Sequence, residues 1–205
     1  MRSMKIITIN PETPGKEKIE LAIRVLKEGG TVVYPTDTVY GLGANIYDEK
    51  AIQMVFILKK RPFNKPVSIC VYNIDDIEKI AYLNEYQEKI VRKIFPGPFT
   101  VILKRKTNLS PLLTAGGEKI GIRIPDSKVC RELTRLFPIT TTSANLSGGE
   151  LPVSVDEVLK QLGDSVDFIL DGGKSESKTP STVIDLTLDP PEILRKGDLS
   201  YKKVF

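Results

Sequence analysis

Short β-branched runs and amphipathic helical repeats alternate along nearly the whole of this 205-residue chain, which confines it to the α/β class. Lys5 to Ile9 reads as a first strand. Pro14 and Gly15 then open a segment in which Ile19, Ala22, Ile23 and Leu26 recur at helical spacing until Gly29 and Gly30 stop it. Thr31 to Pro35 is a strand ended by proline, and Gly41 and Gly43 follow where tight backbone geometry is allowed. Asp48 is a suitable N-cap for a helix that turns Ala51, Ile52, Val55, Phe56 and Leu58 inward and ends at Lys59. Val67 to Val71 is extended, Asn73 and Asn84 cap two short helices, and Pro96-Gly97-Pro98 is a hard stop.

The second half repeats the alternation. Phe99 to Arg105 is the clearest strand, a loop runs through Gly116 and Gly117, and Ile120 to Ile124 is extended again. Ser127 to Leu136 should be helical, Ile139 to Thr142 extended, Asn145 to Gly149 a loop and Val155 to Leu162 a helix. Val166 to Leu170, Thr182 to Leu186 and Glu192 to Arg195 are three closing strands, joined by loops too short to hold crossover helices. The expectation is one α/β domain over residues 1–205, a twisted mixed sheet with flanking helices and no clean doubly wound order.

The chain contains no histidine, which removes a Ser-His-Asp or Cys-His triad, a histidine base and every histidine-containing metal site. Cys70 and Cys130 stand alone, with no further ligand cluster for zinc and no disulfide framework. The apolar run at Ile6 to Ile9 is too brief for a signal core or a membrane span, so a cytoplasmic protein is expected. Sequons at Asn108 and Asn145 are read as coincidental.

Two phosphate motifs are nearly present and fail. Asp171-Gly172-Gly173-Lys174-Ser175 has Phe168 where a P-loop needs its first glycine. Gly41-Leu42-Gly43-Ala44-Asn45-Ile46 has Ile46 where the dinucleotide fingerprint needs a small residue.

Four polar stretches at the ends of elements remain: Thr36-Asp37-Thr38, Lys59-Lys60-Arg61 with Lys65, Arg123, and Thr141-Thr142-Ser143-Ala144-Asn145. Strand ends and the loops after them are where open α/β sheets hold ligands. The lysines and arginine after Leu58 read equally as a solvated helix C-terminus, and Ser143 and Asn145 equally as turn formers. Arg123 lies between Ile122 and Ile124, so it should point to the opposite face from both, and there it wants an anion.

In order, Tyr34 to Ala44, Lys59-x-Arg61-Pro62, Pro96 to Thr100, Gly121 to Pro125, Thr142 to Gly148, Ser181 to Asp185 and Leu194-Arg195 resemble the YrdC-like family, specifically its threonylcarbamoyladenylate synthases. The resemblance implies a mixed sheet around a basic concave cavity, and condensation of ATP, L-threonine and bicarbonate to threonylcarbamoyl-AMP and pyrophosphate. It places Lys59, Arg61, Ser143 and Asn145 as the catalytic tetrad. Lys65, Lys119 and Arg195 join Lys59, Arg61 and Asn145 at ATP, Lys119 through its main chain. Thr38, Cys70, Arg123, Ser143 and Ser181 fall at threonine. Mg²⁺ is expected to arrive with ATP, without a protein cage. The implied partners are a downstream threonylcarbamoyl-transfer machinery and, weakly, tRNA, with no membrane.

The chain departs from the family's pattern at Lys65, where relatives commonly carry asparagine, and at Cys70, where they carry histidine. Ending at Phe205, it resembles the short form without a linker or second domain. The competing function is an RNA-binding module without synthase activity, using Lys59 to Lys65, Lys104 to Lys106, Arg195-Lys196 and Lys202-Lys203. Thirty basic against 26 acidic residues is a mild excess for that role.

Overall fold

The computed structural model describes residues 4–106 and 109–197. Asn108 and the Lys202-Lys203 pair lie outside them. Eleven strands and seven helices occur among the described residues: β1 (Lys5–Thr8), α1 (Lys16–Lys27), β2 (Val32–Tyr34), β3 (Gly41–Gly43), α2 (Glu49–Leu58), β4 (Ile69–Cys70), α3 (Ile74–Ile80), α4 (Glu85–Ile94), β5 (Phe99–Lys104), α5 (Pro111–Thr114), β6 (Lys119–Arg123), α6 (Lys128–Thr134), β7 (Ile139–Thr140), β8 (Thr142–Ser143), α7 (Val155–Leu162), β9 (Phe168–Asp171), β10 (Thr182–Asp185) and β11 (Glu192–Arg195). No helix among them is long and apolar enough to cross a membrane.

The local signals act as expected. Asp48 accepts from the amides of Lys50 and Ala51 to start α2, Asn73 caps α3, and Asn84 forms a reciprocal capping box with Gln87 on α4. Helix α1 buries Ile19, Ala22, Ile23 and Leu26 on one stripe, each such side chain contributing roughly 1.5–3 kcal/mol of hydrophobic stabilisation when large.

Where one mixed sheet is expected, the strands divide into two. The five-stranded sheet runs β1-β9-β2-β3-β8 and the six-stranded sheet β11-β10-β5-β6-β4-β7, each with parallel and antiparallel neighbours. The three closing strands accordingly part company: β9 inserts between β1 and β2, while β10 and β11 extend the other sheet. Gly41–Gly43 is a full strand, hairpin partner of β2. Glycine is poor in β propensity, but a Cβ on Gly43 would meet the Tyr34 ring at 2.9 Å, so the close packing requires its absence. A short helix, α5, stands where only loop is expected; Ser110 caps it and Pro111 occupies its first turn.

The expected extended segment from Ile139 to Thr142 does something the sequence does not announce. Its first half, β7, pairs with β4 of the six-stranded sheet, and its continuation, β8, pairs with β3 of the five-stranded sheet. The chain thus steps from one sheet to the other at Thr141, and the Asn45–Ile139 bridge closes the seam beside it. The functional residues gather along this seam.

Candidate active site

Four pieces of backbone meet at the seam. The hairpin loop between β2 and β3 carries Thr36, Asp37 and Thr38, and the Thr36 hydroxyl accepts the Thr38 amide at 3.0 Å and donates to the Val39 carbonyl at 2.8 Å, fixing the turn. Strand β6 delivers Arg123. The crossing at Thr141 delivers Ser143, and the edge hairpin β10–β11 brings Ser181 beside Arg195.

The end of α2 supplies the fourth piece by reversing sharply. Lys60 takes a left-handed conformation, φ 47°, and the amide of Arg61 reaches back to the Phe56 carbonyl at 2.9 Å, a Schellman-type stop in which lysine occupies the position glycine prefers. This turn sends Lys59 inward and Arg61 round toward the seam. Arg61 is held by two loop carbonyls, its Nε donating to Lys65 at 3.2 Å and its Nη2 to Pro66 at 2.7 Å.

These elements enclose a cavity of about 170 Å³ lined by Thr38, Arg61, Ser68, Thr100, Arg123, Thr141, Ser143, Ser181 and Arg195 among others. Three arginines and no carboxylate line it. Burial lowers the pKa of Arg61, and burial together with the nearby Arg123 guanidinium lowers that of Arg195, as expected for cations gathered around a lining that holds no carboxylate. Larger depressions occur elsewhere, one of about 520 Å³ beside Tyr72 and Arg131 and one of about 650 Å³ between Pro11 and Lys174, but both mix acidic with basic side chains.

Arg123 is the best-fixed of the three. Its Nη2 donates to Asp37 Oδ1 at 2.8 Å and to Thr38 Oγ1 at 3.2 Å, with both members of the ion pair only 10% exposed. The second oxygen of Asp37 accepts the Asp126 amide at 3.0 Å, so the carboxylate is itself anchored. Arg123 Nε is buried with no hydrogen-bond partner, a costly arrangement unless a ligand oxygen completes it. As its sequence position demands, Ile122 and Ile124 face the apolar core on the other side.

Arg195 stands over the opposite wall. Its Nε donates to the Ser181 carbonyl at 3.1 Å and its Nη2 to the Ser181 hydroxyl at 3.0 Å, and that hydroxyl pairs with Thr100 at 2.7 Å.

Of the eleven site residues singled out from the sequence, Thr38, Arg61, Arg123, Ser143, Ser181 and Arg195 line the cavity; Lys59, Lys65, Cys70, Lys119 and Asn145 do not. Lys59 is only 2% exposed, and its ammonium donates to the Ser143 carbonyl at 2.5 Å, the Asn145 carbonyl at 2.7 Å and Asn145 Oδ1 at 3.2 Å. All three of its protons are taken by protein. Burial, with the Arg61 charge nearby, lowers its pKa from the ordinary value to about 7. Asn145 is equally occupied, accepting from Ser143 Oγ at 2.5 Å and donating to the Gly149 carbonyl at 2.8 Å. The pair therefore braces the wall that Ser143 presents.

The other three are displaced for simpler reasons. The Lys65 side chain is exposed on the outside of its loop. Lys119, expected to act through its main chain, sits at the far end of β6 from Arg123, four residues away, and its side chain pairs with Asp185 at 2.9 Å. Cys70 is fully buried in the cluster that also holds Tyr34, Val129 and Cys130, and its contact with the Cys130 thiol, together with burial, pushes its own thiol pKa up.

Sequence reasoning overlooked Asp37, Ser68 and Thr100 as site residues. Asp37 and Thr100 lie inside motifs already noted, but their roles depend on partners 86 and 81 residues away. Ser68 carried one weak signal, its alternation with Cys70 on the same strand face.

A Sua5–YciO–YrdC family model, described as "Telomere recombination", matches residues 24–197. The chain belongs to this family. It is 42% identical over 201 residues to a Methanocaldococcus jannaschii protein provisionally named a threonylcarbamoyl-AMP synthase, covering 98% of this chain and 95% of that one. It is 35% identical over 190 residues to the threonylcarbamoyl-AMP synthase of Pyrococcus abyssi, covering 91% of this chain but 56% of the relative. The crystal structure of P. abyssi Sua5 complexed with L-threonine superposes with a TM-score of 0.90 at 35% identity, over 94% of this chain and 57% of that one. The chain thus spans little more than half the length of the P. abyssi proteins and nearly all of the M. jannaschii protein.

Proposed function

We propose that this chain is a threonylcarbamoyl-AMP synthase that joins L-threonine, bicarbonate and ATP and releases pyrophosphate. Family membership over residues 24–197 and the names of the relatives support the reading. The observation that carries it is the cavity itself: three guanidiniums, no carboxylate in the lining, and a buried Arg123 Nε awaiting an acceptor. Such a site stabilises anions in a low-dielectric enclosure.

The chemistry needs little proton transfer from the protein. Threonine's ammonium and bicarbonate give a carbamate, one water and one proton. The carbamate oxygen then bonds to the α-phosphorus of ATP as the bond to the pyrophosphate oxygen breaks. With no carboxylate or imidazole in the lining, the amine proton passes to bicarbonate or water. Arg123, backed by Thr38, is assigned to the carboxylate of threonine, Ser181 to the same substrate, and Arg61 and Arg195 to the phosphates. Lys59 and Asn145 act through Ser143 by holding its wall.

Magnesium enters as part of the ATP substrate. Among the described residues no group of three or more acidic, cysteine or histidine side chains is placed to hold an ion, and the cavity lining offers none. The product, a mixed carbamic–phosphoric anhydride, is an activated acyl donor; we assign its consumption to a threonylcarbamoyl transfer onto tRNA by separate machinery.

The test is pyrophosphate release by purified protein with Mg-ATP. Release should require threonine and bicarbonate together and match threonylcarbamoyl-AMP one for one. Absence of release at every threonine concentration overturns the proposal.

A further inference from the structure

Strand β4 enters the six-stranded sheet with Ile69 opposite Ile122 and Cys70 opposite Arg123 of β6, so Ser68, one residue earlier, falls opposite Gly121. The approach is close. A Cβ built on Gly121 would meet Ser68 Oγ at 2.5 Å, Ser68 Cβ at 3.2 Å and Thr100 Cγ2 at 3.3 Å. On its other side the Ser68 carbonyl accepts the Thr141 amide at 2.7 Å, which ties its backbone to the crossing between the sheets. Ser68, Thr100, Arg123 and Thr141 all line the cavity, and Ser68 and Thr100 take up the space that a Cβ on Gly121 would need.

Hydroxyls nearby are already engaged: Thr100 with Ser181, Thr38 with Arg123. The Ser68 hydroxyl makes no hydrogen bond among the described residues. Cys70, next on the same strand face, is fully buried beside Tyr34 and Cys130 and cannot substitute for it.

We propose that Ser68, seated against Gly121, forms the floor of the amino-acid subsite and that its hydroxyl distinguishes a β-hydroxy amino acid from its methyl isostere. The inference rests on the synthase reading above. Arg123 and Gly121 share one strand face two residues apart, about 7 Å. An amino acid whose carboxylate is held by Arg123 lays its side chain toward the neighbouring Ser68 hydroxyl, which the missing Cβ of Gly121 allows to sit close against β6. Discrimination by a fixed hydroxyl is strong because the analogue lacking the partner leaves it desolvated and unpaired.

The experiment compares kcat/KM for threonine and for valine in pyrophosphate release, with calorimetric binding of both, in wild type, Ser68→Ala, Ser68→Thr and Gly121→Ala. Ser68→Ala should lower the threonine-to-valine ratio at least about tenfold while the KM for ATP stays within about twofold. Ser68→Thr, which keeps the hydroxyl, should hold the ratio. Gly121→Ala, whose methyl displaces Ser68 Oγ, should raise the KM for threonine at least about tenfold and leave that for ATP alone. Robust wild-type turnover with an unchanged ratio in Ser68→Ala overturns this inference and leaves the synthase reading intact. So does a Gly121→Ala effect on ATP rather than threonine. No threonine-dependent release from the wild type sinks both.

Discussion

Lys59 and Arg123 are both buried cations at the seam between the sheets, yet their surroundings are opposite. Lys59 has each of its protons on a protein oxygen, two of them backbone carbonyls. Arg123 has a carboxylate on one nitrogen and nothing on Nε. A buried polar group without a partner costs about 1–3 kcal/mol, a cost that an acceptor oxygen at Nε would remove. The difference separates two corners within one cluster of motif residues: the lysine corner is tied into the wall, and the arginine corner lines the cavity with a donor still open.

The contrast predicts different failures when each corner is altered. Arg123→Lys keeps the charge and a partner for Asp37 but loses the fork of donors. We expect the KM for threonine to rise about 100-fold, the KM for ATP less than about threefold, and backbone exchange near the seam to stay unchanged. Equal losses for the two substrates would erase the distinction.

Lys59→Met takes one donor from three oxygens and leaves the Asn145 carbonyl without its lysine, while the Ser143 carbonyl keeps the Asn145 amide and Asn145 Oδ1 keeps the Ser143 hydroxyl. Its cost should fall on both substrates alike, about tenfold in each kcat/KM, with hydrogen exchange over Ser143 to Gly149 faster by at least about tenfold. An effect confined to ATP, with exchange unchanged, would return Lys59 to direct nucleotide binding.

The smallest effect is in the pH dependence of stability. Lys59 is lowered to about 7 from 10.5, so above pH 7 the unfolded chain holds a proton that the folded chain has released. Stability contributed by this group therefore rises with pH from about 7 toward 10, at no more than about 1.4 kcal/mol per pH unit. Denaturant unfolding of wild type and Lys59→Met at pH 7, 8 and 9 should show that rise only in the wild type. Parallel curves would mean that its partners hold the ammonium charged throughout.

How far the sequence reached follows the range of the interactions involved. Helix boundaries were legible because Asp48, Asn73 and Asn84 act on amides two or three residues away. Arg123 was legible because alternation along a strand is local and both neighbours are isoleucine. Gly41–Gly43 was not legible as a strand, since its pairing comes from β2 and β8 and its glycines answer to the Tyr34 ring. The exile of Cys70 was invisible too, because a strand face shared with the cavity says nothing of which stretch α6 and Tyr34 cover.

The sequence by itself determined the α/β class, the absence of histidine chemistry, and a set of motifs whose order resembles one family. Only the tertiary structure decided that two sheets meet where one was expected, that Thr141 is the step between them, and that the lysine of the motif faces protein while the arginines face the cavity. The reason is physical. Residue type says that a lysine needs acceptors, but here they are carbonyls 84 and 86 residues away, whose directions are set by strand register rather than by any side chain the sequence displays.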